Sequence, residues 1–257
     1  MRPPAFIVCA AVALLAVSTG CRKSAPAPEN SASSPAKFAQ IDPATAGTIS
    51  GTIRFAGTPP ARIPIDMGQD PACGLSGKPN LTEQVVVHDG GLADVYLYIK
   101  SGLGDQAYAP PTAPVILDQQ GCRYVPHVIA AMAGQPIEIR NSDVTMHNVH
   151  PMPAVAGNKQ WDVSQAPHGD PVRQVFSQPE IMMPVRCNNH PWMEAFINIS
   201  PNPFYAVTDE NGHFEIKGLP PGTYTLAADQ QKLGEQITTV VVTSHNTTIA
   251  NLTFAKQ

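Results

Sequence analysis

Gly134-Gln135-Pro136-Ile137-Glu138-Ile139-Arg140-Asn141 sets apolar Ile137 and Ile139 against charged Glu138 and Arg140. That period of two places successive side chains on opposite faces of a strand. The same alternation recurs on both sides of this segment. Val95, Leu97 and Ile99 stand against Tyr96, Tyr98 and Lys100, Phe214 and Ile216 against Glu215 and Lys217, and Tyr224 and Leu226 against Thr223 and Thr225. Ile237, Thr239 and Val241 alternate with Thr238, Val240 and Val242 in the same way. Between the runs lie Asp89-Gly90-Gly91, Gln120-Gly121, Ala133-Gly134, Glu210-Asn211-Gly212 and Pro220-Pro221-Gly222, turn formers that supply a positive or preset φ. No stretch beyond residue 47 carries twelve residues of helical period. The expected fold is all-β, a sandwich or barrel, made of half-buried strands.

Composition narrows the function classes. The chain has 257 residues, 43 % of them hydrophobic and only 14 % charged, with 27 prolines; an average soluble protein has roughly 25 % charged residues. This excludes coiled coils, helical repeats and charge-driven disorder. Sixteen basic residues against twenty acidic ones leave a net charge of -4, with no basic stripe to neutralise a row of phosphates, so nucleic acid is not an expected partner.

Residues 1–20 have the three-part layout of an export signal: Arg2, an apolar run from Ala5 to Val17, then Ser18-Thr19-Gly20 before Cys21. The run is too short for a permanent membrane span. The small residues before Cys21 resemble a bacterial lipoprotein cleavage box, which implies a lipid on Cys21. Ser18 stands where that box usually has Leu, leaving ordinary export without a lipid as the alternative. Arg22 follows Cys21, and by resemblance to lipoprotein sorting rules this implies an outer-membrane or extracellular anchor. Residues 21–46 are rich in Ala, Pro and Ser and read as a tether. Cys9 leaves with the signal and Cys21 takes the lipid, so of five cysteines Cys73, Cys122 and Cys187 remain in the folded part, an odd number for an oxidising compartment.

Two short stretches concentrate metal-binding side chains. One runs Asn141-Ser142-Asp143-Val144-Thr145-Met146-His147-Asn148-Val149-His150, the other Cys187-Asn188-Asn189-His190-Pro191-Trp192-Met193. Cys-x2-His alone also fits core residues or half a zinc site. Met193 argues against zinc, which prefers N, S⁻ and O donors. A thiolate, two imidazoles and a thioether are the donor set of mononuclear blue copper. A second cysteine, needed for a binuclear centre, is missing from the loop.

Residues 113–200 resemble a cupredoxin, with a Cys-x2-His-x2-Met loop similar to the short amicyanin type. Two strands ending in His147-Asn148 precede it, and a strand from Ala195 to Ser200 follows. The resemblance implies one type 1 copper ion held by His147, Cys187, His190 and axial Met193, with Asn148 pinning the two ligand loops together. His150 competes with His147 for the first position. Asn189 stands where many cupredoxins have Pro, so its N–H is free to donate to the Cys187 sulfur and raise the reduction potential. Met146, Met152, Met182 and Met183 read as packing residues. The resemblance also places His190 near the surface inside an apolar collar, with Pro191 and Trp192 as a docking port for transient redox partners; Trp192 also reads as a plain core aromatic. With Cys187 on the metal, a Cys73–Cys122 disulfide accounts for the other two cysteines, although sequence alone does not define connectivity.

The segment Thr208-Asp209-Glu210-Asn211-Gly212-His213-Phe214, followed by Leu219-Pro220-Pro221-Gly222-Thr223-Tyr224, resembles a carboxypeptidase regulatory-like module, a small transthyretin-like β-sandwich. Four or five strands are expected after residue 200, and Gly47 to Phe55 resembles the opening strand of such a module. The expected organisation is a regulatory-like sandwich made of residues 47–112 and 201–257, with the 113–200 cupredoxin inserted; a serial order is the alternative. The module's relatives include carbohydrate-binding-like folds, but no row of aromatics marks a sugar platform, and Asp209-Glu210-Asn211 reads as a hairpin turn rather than a calcium site. No triad, carboxylate pair or phosphate loop points to an enzyme. The expected function is an extracytoplasmic, membrane-tethered copper protein carrying single electrons between partner proteins. Copper binding and delivery, or surface adhesion with a non-essential metal site, are the alternatives.

Overall fold

The computed structural model describes residues 38–75 and 79–256. The export signal of residues 1–20, the lipid site Cys21 and the tether up to residue 37 lie outside the described residues. Among the described residues no helix is long and apolar enough to cross a membrane. Among the described residues the helical element is one 3-10 turn, Pro71–Gly74, and the others are strand and loop.

The first strands are β1 (Gly47–Ala56), β2 (Val87–His88), β3 (Gly91–Leu92) and β4 (Tyr96–Ser101). Next come β5 (Val115–Gln119), β6 (Tyr124–Val125), β7 (Val128–Met132), β8 (Pro136–Asn141) and β9 (His147–Pro151), then β10 (Val163–Gln165), β11 (Val172–Val175), β12 (Glu180–Arg186) and β13 (Glu194–Ser200). The last six are β14 (Tyr205–Val207), β15 (His213–Leu219), β16 (Gly222–Gln230), β17 (Gly234–Val242), β18 (Thr247–Ile249) and β19 (Leu252–Ala255). The C-terminal stretch thus supplies six strands, more than its turn signals alone suggested.

Four sheets make two sandwiches. β15-β1-β3-β2, with β18 and β19 laid parallel on β1, faces β14-β4-β16-β17 across a core that includes Ile49, Leu97, Phe204 and Leu226. β10-β9-β12-β13-β7 faces β11-β8-β5-β6 across a second core with Leu117, Ile137, Ile139, Val185 and Ile197. Within the first sandwich, strands from residues 47–101 pair with strands from residues 205–255.

The strand β4 departs from the half-buried expectation. Val95, Leu97 and Ile99 fill the first core, while Tyr96 and Tyr98 on the opposite face are buried with Ala227 against Ala130 and Met182 of the second sandwich. The second sandwich therefore covers the face that alternation alone assigns to water. Residues 38–46 also differ from a free tether: Ala39 donates its N–H to the Ala107 carbonyl at 2.7 Å and packs on the first core.

The C-terminal strands reach β1 through one close approach. β18 pairs with Thr48–Ser50 and β19 with Ile53–Ala56. At the switch between them the Ala250 N–H donates to the Ser50 carbonyl at 2.9 Å, and Asn251 Oδ1 accepts the Thr52 N–H at 2.8 Å. A Cβ on Gly51 would sit 1.9 Å from the Ala250 carbonyl oxygen, so only glycine fits there.

Candidate metal centre

His147 is the first residue of β9, Cys187 directly follows β12, and His190 and Met193 lie in the turn into β13. β12 pairs antiparallel with both β9 and β13, which brings the end of one strand beside the start of the other. The Cys187 N–H donates to the Met193 carbonyl at 3.4 Å, and the Met193 N–H to the His190 carbonyl at 2.9 Å, closing the seven-residue loop on itself. His147 Nδ1 lies 3.0 Å from His190 Nδ1, and Cys187 Sγ lies 3.6 Å from the same nitrogen. The donor atoms of these three residues lie within 4.8 Å of one another. Exposure is 0 % for His147, 3 % for His190, 4 % for Cys187 and 1 % for Met193.

Both imidazoles have their outer nitrogen committed. His147 Nε2–H donates to Asp143 Oδ2 at 2.8 Å, and His190 Nε2–H to Asp70 Oδ2 at 3.0 Å. Carboxylates at these positions select the tautomer with a free Nδ1 lone pair. Two lone pairs facing each other at 3.0 Å need a proton or a cation between them. Burial works to lower the His147 pKa, but the Asp143 hydrogen bond and the Cys187 thiolate lift it to about 9. Burial likewise works to raise the Cys187 thiol, but the His147 contact, the backbone N–H groups of Asn148 and Asn189, and His190 bring it down to about 6. That lowering favours the thiolate, the form that ligates metals.

These donors fit one copper ion. Bonds of about 2.0 Å to nitrogen and ~2.3 Å to thiolate, the lengths for zinc, put the donors of one small divalent ion at separations like those seen here. A soft thiolate and thioether with two imidazoles, all in an apolar core, match copper rather than a hard cation. Met193, the third candidate ligand on the loop and the fourth of the set, is buried in the same core as Cys187. Cys187 is the free cysteine among the described residues, whereas Cys73 and Cys122 form a disulfide.

Asn148 joins the two loops. Its Oδ1 accepts the Asn188 N–H at 3.1 Å and its N–H donates to Cys187 Sγ at 3.3 Å. Its Nδ2 donates to Asp162, which also accepts from Asn188 Nδ2 at 2.8 Å. The His150 ring faces Asn188 and Gln160 instead of the donor cluster. Met183 is a core residue and Met182 and Met152 are half-buried, but Met146 is exposed on the loop before His147.

The His190 ring, expected near the surface, is buried. The ring is buried because Asp70 and the disulfide-linked turn Pro71–Gly74 lie over it. Pro191 is exposed, while Trp192 is half-buried, its ring 5.1 Å from His190. Sequence reading missed Asp70, Asp143 and Asp162. Asp143, four residues before His147, was detectable as a carboxylate beside a ligand; Asp70 carried no such signal.

A carboxypeptidase regulatory-like domain model matches residues 188–255. No curated protein matches the chain. Among solved structures, the copper-containing nitrite reductase from Thermus scotoductus SA-01 is 24 % identical with a TM-score of 0.32; the match covers 39 % of this chain and 25 % of that one. A reduced Cu(I) variant of amicyanin is 17 % identical with a TM-score of 0.31, covering 40 % of this chain and 98 % of its own. A purple cupredoxin from Nitrosopumilus maritimus is 17 % identical with a TM-score of 0.28, covering 34 % and 99 %. The chain is all-β and is similar in parts to a cupredoxin and to a carboxypeptidase regulatory-like module.

Proposed function

We propose that this protein is an exported, lipid-anchored type 1 copper protein that carries single electrons between transiently bound redox partners and performs no bond-making chemistry. One observation carries the reading: the Nδ1 atoms of His147 and His190 lie 3.0 Å apart, Cys187 Sγ lies 3.6 Å from the latter, and all three residues are buried. A copper ion held there supplies one-electron redox chemistry. The chain's own residues do the rest. Asp143 and Asp70 hold the imidazole rings, the N–H groups of Asn148 and Asn189 stabilise the thiolate charge, and the Asn148–Asp162–Asn188 bonds keep the two loops in register. A rigid donor frame keeps rearrangement small when the charge of the ion changes.

Burial of both imidazoles favours electron transfer over copper delivery, because release of the ion requires the covering turn to move. The test is the visible absorption spectrum of the Cu(II)-loaded protein beside Cys187→Ser. An intense thiolate-to-copper band that vanishes in the variant supports the proposal. A colourless protein that binds Cu(I) tightly, with no stable Cu(II) form, supports delivery.

A further inference from the structure

Asp70 reaches the metal centre from outside the segment that resembles a cupredoxin. It lies 117 residues before Cys187, on the irregular strap between β1 and β2. Its Oδ2 accepts from His190 Nε2 at 3.0 Å and from Thr145 Oγ1 at 2.8 Å, and its Oδ1 accepts the Ala72 N–H at 2.9 Å. Both carboxylate oxygens are therefore engaged, which fixes the orientation of the side chain. Three residues on, Cys73 is bonded to Cys122, and the sulfurs of that disulfide lie within 4.8 Å of a His190 ring nitrogen. The Cys122 N–H donates to Asp143 Oδ2 at 2.8 Å, the same oxygen that holds His147. The carboxylates behind the two histidines are thus joined through one disulfide, Asp70 to Cys73 to Cys122 to Asp143.

We infer that the strap around Asp70 is a built-in cover of the metal centre, and that Asp70 is a positioning residue which aims His190 Nδ1 at the ion and withdraws that ring from solvent. The inference rests on the copper reading above. The strap's packing supports it: Cys73 is buried in the core of the metal-bearing sandwich and Met67 packs against it. The segment before and after, by contrast, runs in strands of the other sandwich. One sandwich therefore completes the ligand environment of the other.

The test uses Asp70→Ser and Asp70→Asn in the full chain. Serine keeps a cap for the Ala72 N–H but is too short to reach His190; asparagine keeps the length and one acceptor oxygen, which turned to His190 gives up the Ala72 cap. In the metal-free protein, acylation of His190 by diethyl pyrocarbonate is read by peptide mass spectrometry. We expect slow modification in the parent, faster modification in Asp70→Ser and renewed protection in Asp70→Asn. In the copper-loaded protein, Asp70→Ser is expected to lose copper affinity by about 10- to 100-fold and to shift the thiolate-to-copper band. Equal acylation of His190 in parent and Asp70→Ser, with both folded by circular dichroism, overturns the cover. A shifted acylation rate with unchanged affinity and spectrum overturns the positioning role. Failure of the parent to give any copper band overturns the copper reading and the positioning role with it, while the acylation rates still decide the cover.

Discussion

The indole Nε1–H of Trp192 donates to the carbonyl of Cys122 at 3.1 Å, tying the ligand loop to the disulfide that anchors the strap. Trp192 is thus a strut as well as a neighbour of His190. Trp192→Phe keeps a ring beside His190 and removes the donor. A lost hydrogen bond of about 1 kcal/mol lowers the thermal midpoint of a protein this size by roughly 2–4 °C. A calorimetric melt checks this, and an unchanged midpoint would show that water replaces the indole.

The Cys73–Cys122 bond closes a loop with a sequence separation of 49. A cross-link of that span constrains the unfolded chain and is expected to contribute about 2–4 kcal/mol. Cys73→Ala with Cys122→Ala should therefore unfold at clearly lower denaturant, measured against the oxidised parent. A midpoint equal to the parent's would show that strap packing alone holds the turn.

Asn189 supplies a backbone N–H to the Cys187 thiolate. Asn189→Pro deletes that donor while leaving the four proposed ligands in place. With less stabilisation the thiolate donates more strongly to Cu(II), so the reduction potential of the copper-loaded protein is expected to fall. Voltammetry on both proteins decides; an equal or higher potential in the variant counts against the role assigned to this N–H.

Asp94 has a carboxyl pushed up to about 6 from 3.8, first by burial, with Glu83 adding to the rise and His127 and Arg62 opposing it. An acid whose folded pKa is raised contributes most stability below its unfolded pKa, and that contribution is lost as pH rises through the folded value. Asp94→Asn cannot ionise, and Asn accepts the left-handed φ of about +50 to +70°, here 60°. The variant is expected to match the parent near pH 4 and to exceed it at pH 7 by on the order of 1 kcal/mol. Urea unfolding at the two pH values checks the sign; a variant weaker at pH 7 would mean that the charged Asp94 is held by its cationic neighbours.

Gly51→Ala forces a methyl into the Ala250 backbone, and neither strand can give way without breaking the Ser50–Ala250 bond. Overpacking of this kind costs about 1–3 kcal/mol. Hydrogen exchange at the Ala250 and Thr52 amides should accelerate first, ahead of global unfolding. Unchanged protection would show that β18 and β19 dock independently of this contact.

Much of this was legible because it is local. Ile137 and Ile139 alternate with Glu138 and Arg140, and β8 runs over them; Phe214 and Ile216 announce β15 in the same way. Cys187, His190 and Met193 were legible because three metal-binding types share seven residues, and His147 because it ends a strand pair. Tyr96 and Tyr98 misled, since alternation describes the strand and not what covers it. His190 misled as well, because its exposure depends on a turn more than a hundred residues away.

From its sequence the chain is all-β, carries a thiolate, two imidazoles and a thioether at short spacing, and opens with the pattern of an exported protein. Those properties follow from side-chain period and donor chemistry, which neighbouring residues set between themselves. Only the tertiary structure decided that both Nδ1 atoms face Cys187 Sγ, that Asp143 and Asp70 hold the two rings, and that the second sandwich buries the tyrosine face of β4. Those relations join segments far apart in the chain, and they exist only once strand register and sheet packing have brought the segments together.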